Sequence, residues 1–190
     1  MKEIIISIVN DYLNFYPEEK ERLKLLINFL NTYDDNKIID WNNFDGHIVS
    51  GGFIYAKKEK KFLVLYHKDL EMYLYPGGHI NTDDFNLLFA AKREIAEETG
   101  LKDMEYLKIS ENELVPFDID THLIEANQRL NLPQHHHFDF RYLFTVDNIT
   151  EINIDKIELE NYKWIDIDEL SDDQNYGKIV SKIRKILVKK

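Results

Sequence analysis

The stretch PGGHINTDDFNLLFAAKREIAEETGL, Pro76–Leu101, decides how the rest of the chain is read. From Phe85 to Thr99 it has helical periodicity, with Leu88, Ala91 and Ile95 on one stripe suited to a core. Thr82, Asp83 or Asp84 is available as N-cap, and Gly100 stands where a helix ends in the left-handed conformation. Beside the apolar stripe, Glu94, Glu97 and Glu98 stand at i, i+3 and i+4, so their carboxylates project from one side within about one turn.

Like charges at that spacing destabilise an isolated helix by about 0.2–0.5 kcal/mol per pair, so the cluster calls for a counter-charge. Hard divalent cations such as Mg²⁺ and Mn²⁺ supply it best, because they prefer carboxylate and water oxygens and work together with substrate phosphates. Arg93, next in sequence, can hold a carboxylate through two parallel hydrogen bonds. A bare ExxEE is ordinarily a solvated acidic face. The residues around it change that reading.

Arg93-Glu94-Ile95-Ala96-Glu97-Glu98-Thr99-Gly100-Leu101 resembles the second half of the Nudix box, Arg-Glu-aliphatic-x-Glu-Glu-x-Gly-aliphatic, at every defined position. Pro76-Gly77-Gly78-His79 resembles the loop that opens the box. The first half departs by one residue. Counting forward from Gly78 to the usual acidic position lands on Asp84, whereas counting back from Arg93 lands on Phe85. One residue is therefore inserted in the loop or first turn, and Asp84 is the candidate for the first acid.

With 190 residues and 44% hydrophobic content, the chain suits one domain with an extension. It contains no cysteine, which excludes disulfides, a thiol nucleophile and a zinc–thiolate site, and suits a reducing cytosol. A formal net charge of −11 argues against a nucleic-acid backbone as partner, since that binding rests on clustered Lys and Arg. No stretch approaches the roughly 18 apolar residues of a membrane span, so no membrane partner is expected and the cytoplasm is the expected location. A bound metal can reverse the local field for a small anionic substrate.

Taken in order, residues 1 to about 36 read as two helices, with Ile5, Ile8, Val9, Tyr12 and Phe15 on one stripe and Leu23, Leu26, Ile27 and Leu30 on the next. Pro17 opens the second. Residues 1–42 form an N-terminal helical extension that covers the core or, alternatively, makes a homodimer contact. Asp34 to Asp45 reads as a linker. From His47 the period changes to two: Ile48–Ala56 and Phe62–His67 flank a charged turn as a β-hairpin, and Met72–Tyr75 leads into the glycine loop.

Beyond the box, Tyr106–Ile109 and Leu114–Ile124 are expected strands. His135–Val146 is another, with His135, His137, Asp139 and Arg141 alternating against Phe138, Phe140, Tyr142 and Phe144. Asp118, Asp120 and His122 repeat the theme, and two such polar faces, if neighbours in one sheet, would line a pocket. Tyr75, Phe117 and Tyr142 are candidates to stack on a base. A strand around Trp164-Ile165 and an amphipathic helix from Tyr176 to Lys190 complete the chain.

This element order predicts an α/β fold, an α/β/α sandwich with a mixed β-sheet plus the N-terminal helical extension. The resemblance covers about residues 45–190 and places a Nudix hydrolase domain at 43–190. The pre-box Gly46-His47 and the strand His135–Asp139 resemble a bacterial subgroup of that family. By resemblance, the protein is a Mg²⁺-dependent hydrolase, with Mn²⁺ as the alternative ion. Its substrate is a small-molecule nucleotide, a nucleoside diphosphate derivative cleaved at the diphosphate by activated water. The resemblance implies that Gly78, Glu94, Glu97 and Glu98 hold metal, that Glu94 is a ligand or the base, and that Arg93 orients the acids. His122, His135, His137, Asp139 and Arg141 are candidate substrate contacts, and Glu111, Glu113 or Glu125 a candidate further acid. The rival reading is a nucleotide-sensing module of the same fold without turnover, although a sensor has no need of the full acid set.

Overall fold

A computed structural model describes residues 1–128, 131–172 and 176–188. Among the described residues, eight strands form one mixed sheet: β1 (His47–Ala56), β2 (Lys61–His67), β3 (Met72–Leu74), β4 (Gly77–His79), β5 (Glu105–Tyr106), β6 (Asp118–Ile124), β7 (His135–Val146) and β8 (Leu159–Asp166). β1 and β7 run parallel at its centre, from His47↔His137 to Ala56↔Val146, and the other pairings are antiparallel. On one face lie α1 (Lys2–Phe15), α2 (Lys24–Thr32), α3 (Asp35–Ile39) and α4 (Leu87–Thr99), packed on Ile48, Ile54, Phe138, Phe140 and Tyr142. On the other lie α5 (Ile167–Asp172) and α6 (Gly177–Val188), where Ile179 and Ile183 meet Phe53, Phe62 and Leu143. The layers are those of the expected α/β/α sandwich. Among the described residues, no helix is long and apolar enough to cross a membrane.

The strands follow from the alternation in the sequence. Along β7, Phe138, Phe140, Tyr142 and Phe144 enter the core beneath the N-terminal helices while the intervening polar residues take the opposite face. β6 pairs with that strand in the register Asp118↔Arg141, Asp120↔Asp139 and His122↔His137, so the two polar faces are neighbours. Residues 114–117 do not join β6. Pro116 has no N–H to give a ladder, and Val115 instead closes a turn onto the Asn112 carbonyl. β5 is likewise shorter than expected.

Four helical expectations need correction. Asp34 to Asp45 is not a linker throughout: the Asp34 side chain accepts the Lys37 N–H as an N-cap, starting α3, which buries Ile38. Phe15 is exposed, because α1 ends there and its stripe stops at Tyr12. Pro17 opens a short 3₁₀ turn, Pro17–Glu19, ahead of α2. The carboxylate helix is capped by Asn86, whose Oδ1 accepts the Phe89 N–H, and not by Thr82, Asp83 or Asp84. Gly100 ends it at φ 74°, as expected. The expected last helix runs to Lys190, but Lys189 and Lys190 lie outside the described residues.

The N-terminal helices are fixed to the sheet by more than apolar contact. Asp118 on β6 is 0% exposed and receives Arg141 Nη1 at 3.2 Å, Arg22 Nη2 at 3.1 Å and Lys182 Nζ of α6 at 2.7 Å. The Tyr12 hydroxyl of α1 lies 2.6 Å from the same Lys182. Removing one member of a buried ionic group leaves the others unpaired at a cost of about 3–5 kcal/mol. Asp118→Ala is therefore expected to lower unfolding free energy by about that amount in urea titration. A loss below about 1 kcal/mol would show that the network does not hold these layers together.

Candidate active site

The site forms where β4 meets α4. The Arg93 guanidinium is its centre: Nε and Nη2 donate to Asp84 Oδ1 and Oδ2 at 3.0 and 2.9 Å, and Nη1 donates to Glu94 Oε1 at 2.8 Å and Glu97 Oε2 at 2.9 Å. Nη2 also donates to the His79 carbonyl at 2.9 Å. One fork thus joins the glycine loop, the loop before the helix and two of the helix acids. Asp84 is buried and accepts the Asn81 N–H at 2.8 Å as well. The inserted residue is absorbed here: Asp84 takes the acidic position, and Phe85, 71% exposed, swings out beside Phe89.

Gly78 lies against Glu94 so closely that a Cβ there would stand 2.7 Å from Glu94 Oε2. Only glycine leaves that space between strand and carboxylate free. Glu98 lies deeper, accepting the Gly77 N–H on Oε2 at 2.8 Å. Burial pushes its carboxyl up to about 8, reinforced by Glu94, Glu158 and Asp155 and opposed by that hydrogen bond. Glu94 is also raised by burial, with Arg93 pulling the other way. The half-buried acids stand in an all-oxygen cradle with less positive charge than they need. A divalent hard cation fits that donor set, and Gly78, Glu94, Glu97 and Glu98 could hold it.

Two acids that sequence reasoning overlooks, Asp155 and Glu158, stand near enough to raise Glu98; Asp155 also bonds its backbone N–H to the Glu98 carbonyl at 3.1 Å. They lie some sixty residues past the box, and nothing local marks them. Of the expected further acids, Glu113 instead pairs with Lys108 at 3.5 Å.

The polar faces of β6 and β7 divide into two groups. Arg141, only 6% exposed, directs its donors inward: Nη2 to Asp120 at 2.8 Å, Nη1 to Asp118 at 3.2 Å, and Nε to Asp139 at 3.1 Å and the Tyr75 hydroxyl at 2.9 Å. Tyr75 in turn bonds Asp139, and its ring stacks on Phe53. Burial raises Asp120, but the His122 hydrogen bond and the charges of Arg141 and Arg22 outweigh it and hold the carboxyl well below its usual range. Phe117 and Tyr142 are core residues, so neither offers a face to a base.

The second group is histidine. His137 lies beside His47 in the parallel β1–β7 ladder and beside His122 in the β6–β7 ladder, and His135 is two residues before it. His79 adds a ring from β4, with its Nε2 3.1 Å from that of His47. Burial, then the neighbouring imidazoles, pushes His47 down to about 4 and His137 down to about 2, and His79 is lowered too, so these rings are neutral near pH 7. The sequence leaves His47 and His79 without a role. Gly46-His47 and the histidine after the glycine pair are visible signals, but the strand pairing that joins them to His137 is not local.

Comparison with known proteins agrees with this architecture. A family model described as NUDIX domain matches residues 46–186. A comparison with curated proteins gives no match. Among solved structures, a C. elegans Ap4A hydrolase in a binary complex is similar at 20% identity and a TM-score of 0.57, over 75% of this chain and 98% of that one. A NUDIX-family hydrolase from Clostridium perfringens is similar at 23% identity and 0.56, over 76% and 98%. An E. coli dihydroneopterin triphosphate pyrophosphohydrolase is similar at 15% and 0.54, over 71% and 92%. At such identities the likeness is one of fold.

The raised Glu98 carboxyl has a sign that can be checked without metal. Its folded value, about 8, lies above the ordinary 4.5, so its contribution to stability is full below about pH 4.5 and is lost as pH climbs toward 8. In EDTA, wild type is expected to lose stability relative to Glu98→Gln between pH 4.5 and 8.5, as measured by urea unfolding. A pH-independent difference would contradict the burial of that carboxyl.

Proposed function

The chain belongs to the Nudix family, hydrolases of pyrophosphate-containing substrates, and we propose that it is a Mg²⁺-dependent member cleaving the diphosphate linkage of a nucleoside diphosphate derivative. Mn²⁺ is the alternative ion. The observation that carries this reading is the Arg93-centred arrangement, in which Gly78 and the three helix acids converge with an all-oxygen donor set.

Glu97, Glu98 and the Gly78 carbonyl would hold the ion, with Glu94 as a further ligand or as the base. When bound, Mg²⁺ supplies Lewis-acid neutralisation of the phosphate charge and lowers the pKa of the attacking water. As the base, Glu94 would accept the proton that water loses as its oxygen bonds to phosphorus, while the bridging P–O bond breaks and the leaving phosphate departs with its electron pair. Arg93 orients Glu94 and Glu97 for these roles. Because its fork is already engaged by Asp84 and the His79 carbonyl, the acids are positioned before substrate arrives.

The polar faces of β6 and β7 are the proposed substrate wall. His122 and His135 are its contacts, His137 stands between their strands, and Asp139 and Arg141 hold its shape from within. Residues 1–42 act as a covering extension to a hydrolase domain at 43–190. The partner is a small-molecule nucleotide in the cytoplasm, and no role here requires a homodimer.

The test is release of phosphate or nucleoside monophosphate from a panel that includes ADP-ribose, dinucleoside polyphosphates, nucleotide sugars, NADH and nucleoside triphosphates, with Mg²⁺ and with EDTA. Turnover is expected only with metal, and Glu98→Gln is expected to lower it at least about a hundredfold with the fold intact, since removal of one charge-stabilising group costs that order. Tight nucleotide binding without release from any member would favour the sensor reading.

A further inference from the structure

We propose that His47, His79 and His137 form a transition-metal site of the Zn²⁺ class, separate from the carboxylate site on α4. The backbone ladders place the three rings. His47 and His137 are paired residues of adjacent parallel strands, and His79 lies on β4, paired with Val49 two residues along from His47. One ligand nitrogen from each of the three falls within 4.8 Å of the others.

The distances suit a shared ion. In a tetrahedral site with metal–nitrogen bonds of about 2.0–2.1 Å, neighbouring nitrogens stand roughly 3.3 Å apart. His47 Nε2 and His79 Nε2 are 3.1 Å apart, and His135 Nε2 approaches His137 Nε2 at 3.3 Å. His135 lies outside that group of three and stands beside it. Its Nδ1 lies 2.8 Å from the Pro133 carbonyl, which fixes the N–H there and turns the Nε2 lone pair toward the cluster. The Asp120 carboxylate similarly sits 3.2 Å from His122 Nδ1.

The rings already converge. His47 is 1% exposed. Each close Nε2 pair can hold one shared proton as an N–H···N bond, and an ion that displaces those protons finds the nitrogens gathered around it. It takes one nitrogen from each of the three rings. Imidazole selects Zn²⁺, Cu, Ni or Fe over Mg²⁺, so this site and the all-oxygen site differ in the ion they prefer. His79 is exposed and gives a route of entry from solvent.

The site would act on the loop between the two centres. Successive residues of a strand point to opposite faces. Gly78 abuts Glu94, and His79 turns the other way to meet His47. An ion held by His47, His79 and His137 ties the glycine loop to the two central strands, one residue from the Gly78 carbonyl.

The test uses the untagged full chain stripped by chelator and titrated with Co²⁺, followed by visible absorption and by displacement with Zn²⁺. One equivalent of Co²⁺ is expected to give the intense absorption of a four-coordinate nitrogen site, displaced by Zn²⁺ and retained in Glu98→Gln. His47→Gln and His137→Gln are expected to weaken binding at least about tenfold, as loss of a ligand or its support does. His136→Gln is expected to leave it unchanged. If the buried variants fail to fold, His79→Gln at the exposed ring decides the matter. A weak six-coordinate spectrum in wild type, an unchanged signal in His79→Gln, or loss of the signal in Glu98→Gln alone would overturn the proposal.

Discussion

The candidate active site is organised around a single guanidinium. Arg93 binds Asp84, Glu94, Glu97 and the His79 carbonyl, so it neutralises part of the acid cluster, closes the loop that carries the inserted residue and anchors the strand that carries Gly78. No ammonium group reproduces this. A lysine has one nitrogen, and the geometry needs donors pointing in several directions from a rigid plane. The arrangement also explains why an insertion in the first half of the box is tolerated. The chain between Gly78 and Asn86 need only return an acid to the fork, and Asp84 does so while Phe85 moves into solvent.

A second constraint acts one layer away. The pairing of β6 with β7 sets Asp118 opposite Arg141 and Asp120 opposite Asp139, and Arg141 draws all three carboxylates together. Because Asp118 also binds Arg22 and Lys182, the same buried group reaches the N-terminal helices on one side and α6 on the other. The extension is therefore joined to the sheet whose polar faces form the proposed wall. Its apolar residues Ile5, Ile8, Leu26 and Ile38 share a core with β1, β7 and α4. Those contacts supply cohesion, and the ionic group sets where the helices sit.

Local patterns made much of this legible in advance. The carboxylate helix, its glycine stop and the His135–Val146 strand could be read to within a few residues, because each rests on periodicity over a dozen positions or on a left-handed cap. Less could be read where the cause is distant or competitive. Asn86 caps α4 because Asp84 is engaged by Arg93, which no propensity reveals. Residues 114–117 look like strand until Pro116 is weighed against the ladder. α3 hides in an Asn- and Asp-rich segment because those residues mark caps as often as loops. The helix acids stand within one turn of each other, so their convergence could be read from spacing alone. The histidine cluster draws on β1, β4, β6 and β7, and the parallel pairing of residues ninety positions apart lies beyond any local pattern.

The most direct test of the Arg93 arrangement needs no substrate. Mn²⁺ titrated into metal-free protein and followed by electron paramagnetic resonance should bind wild type, and Arg93→Met and Asp84→Asn should each weaken it about tenfold or more. The double variant should be no weaker than Arg93→Met, because both changes disable one unit. Wild-type affinity in a folded Arg93→Met protein, or losses that simply add, would contradict the central place given to that guanidinium.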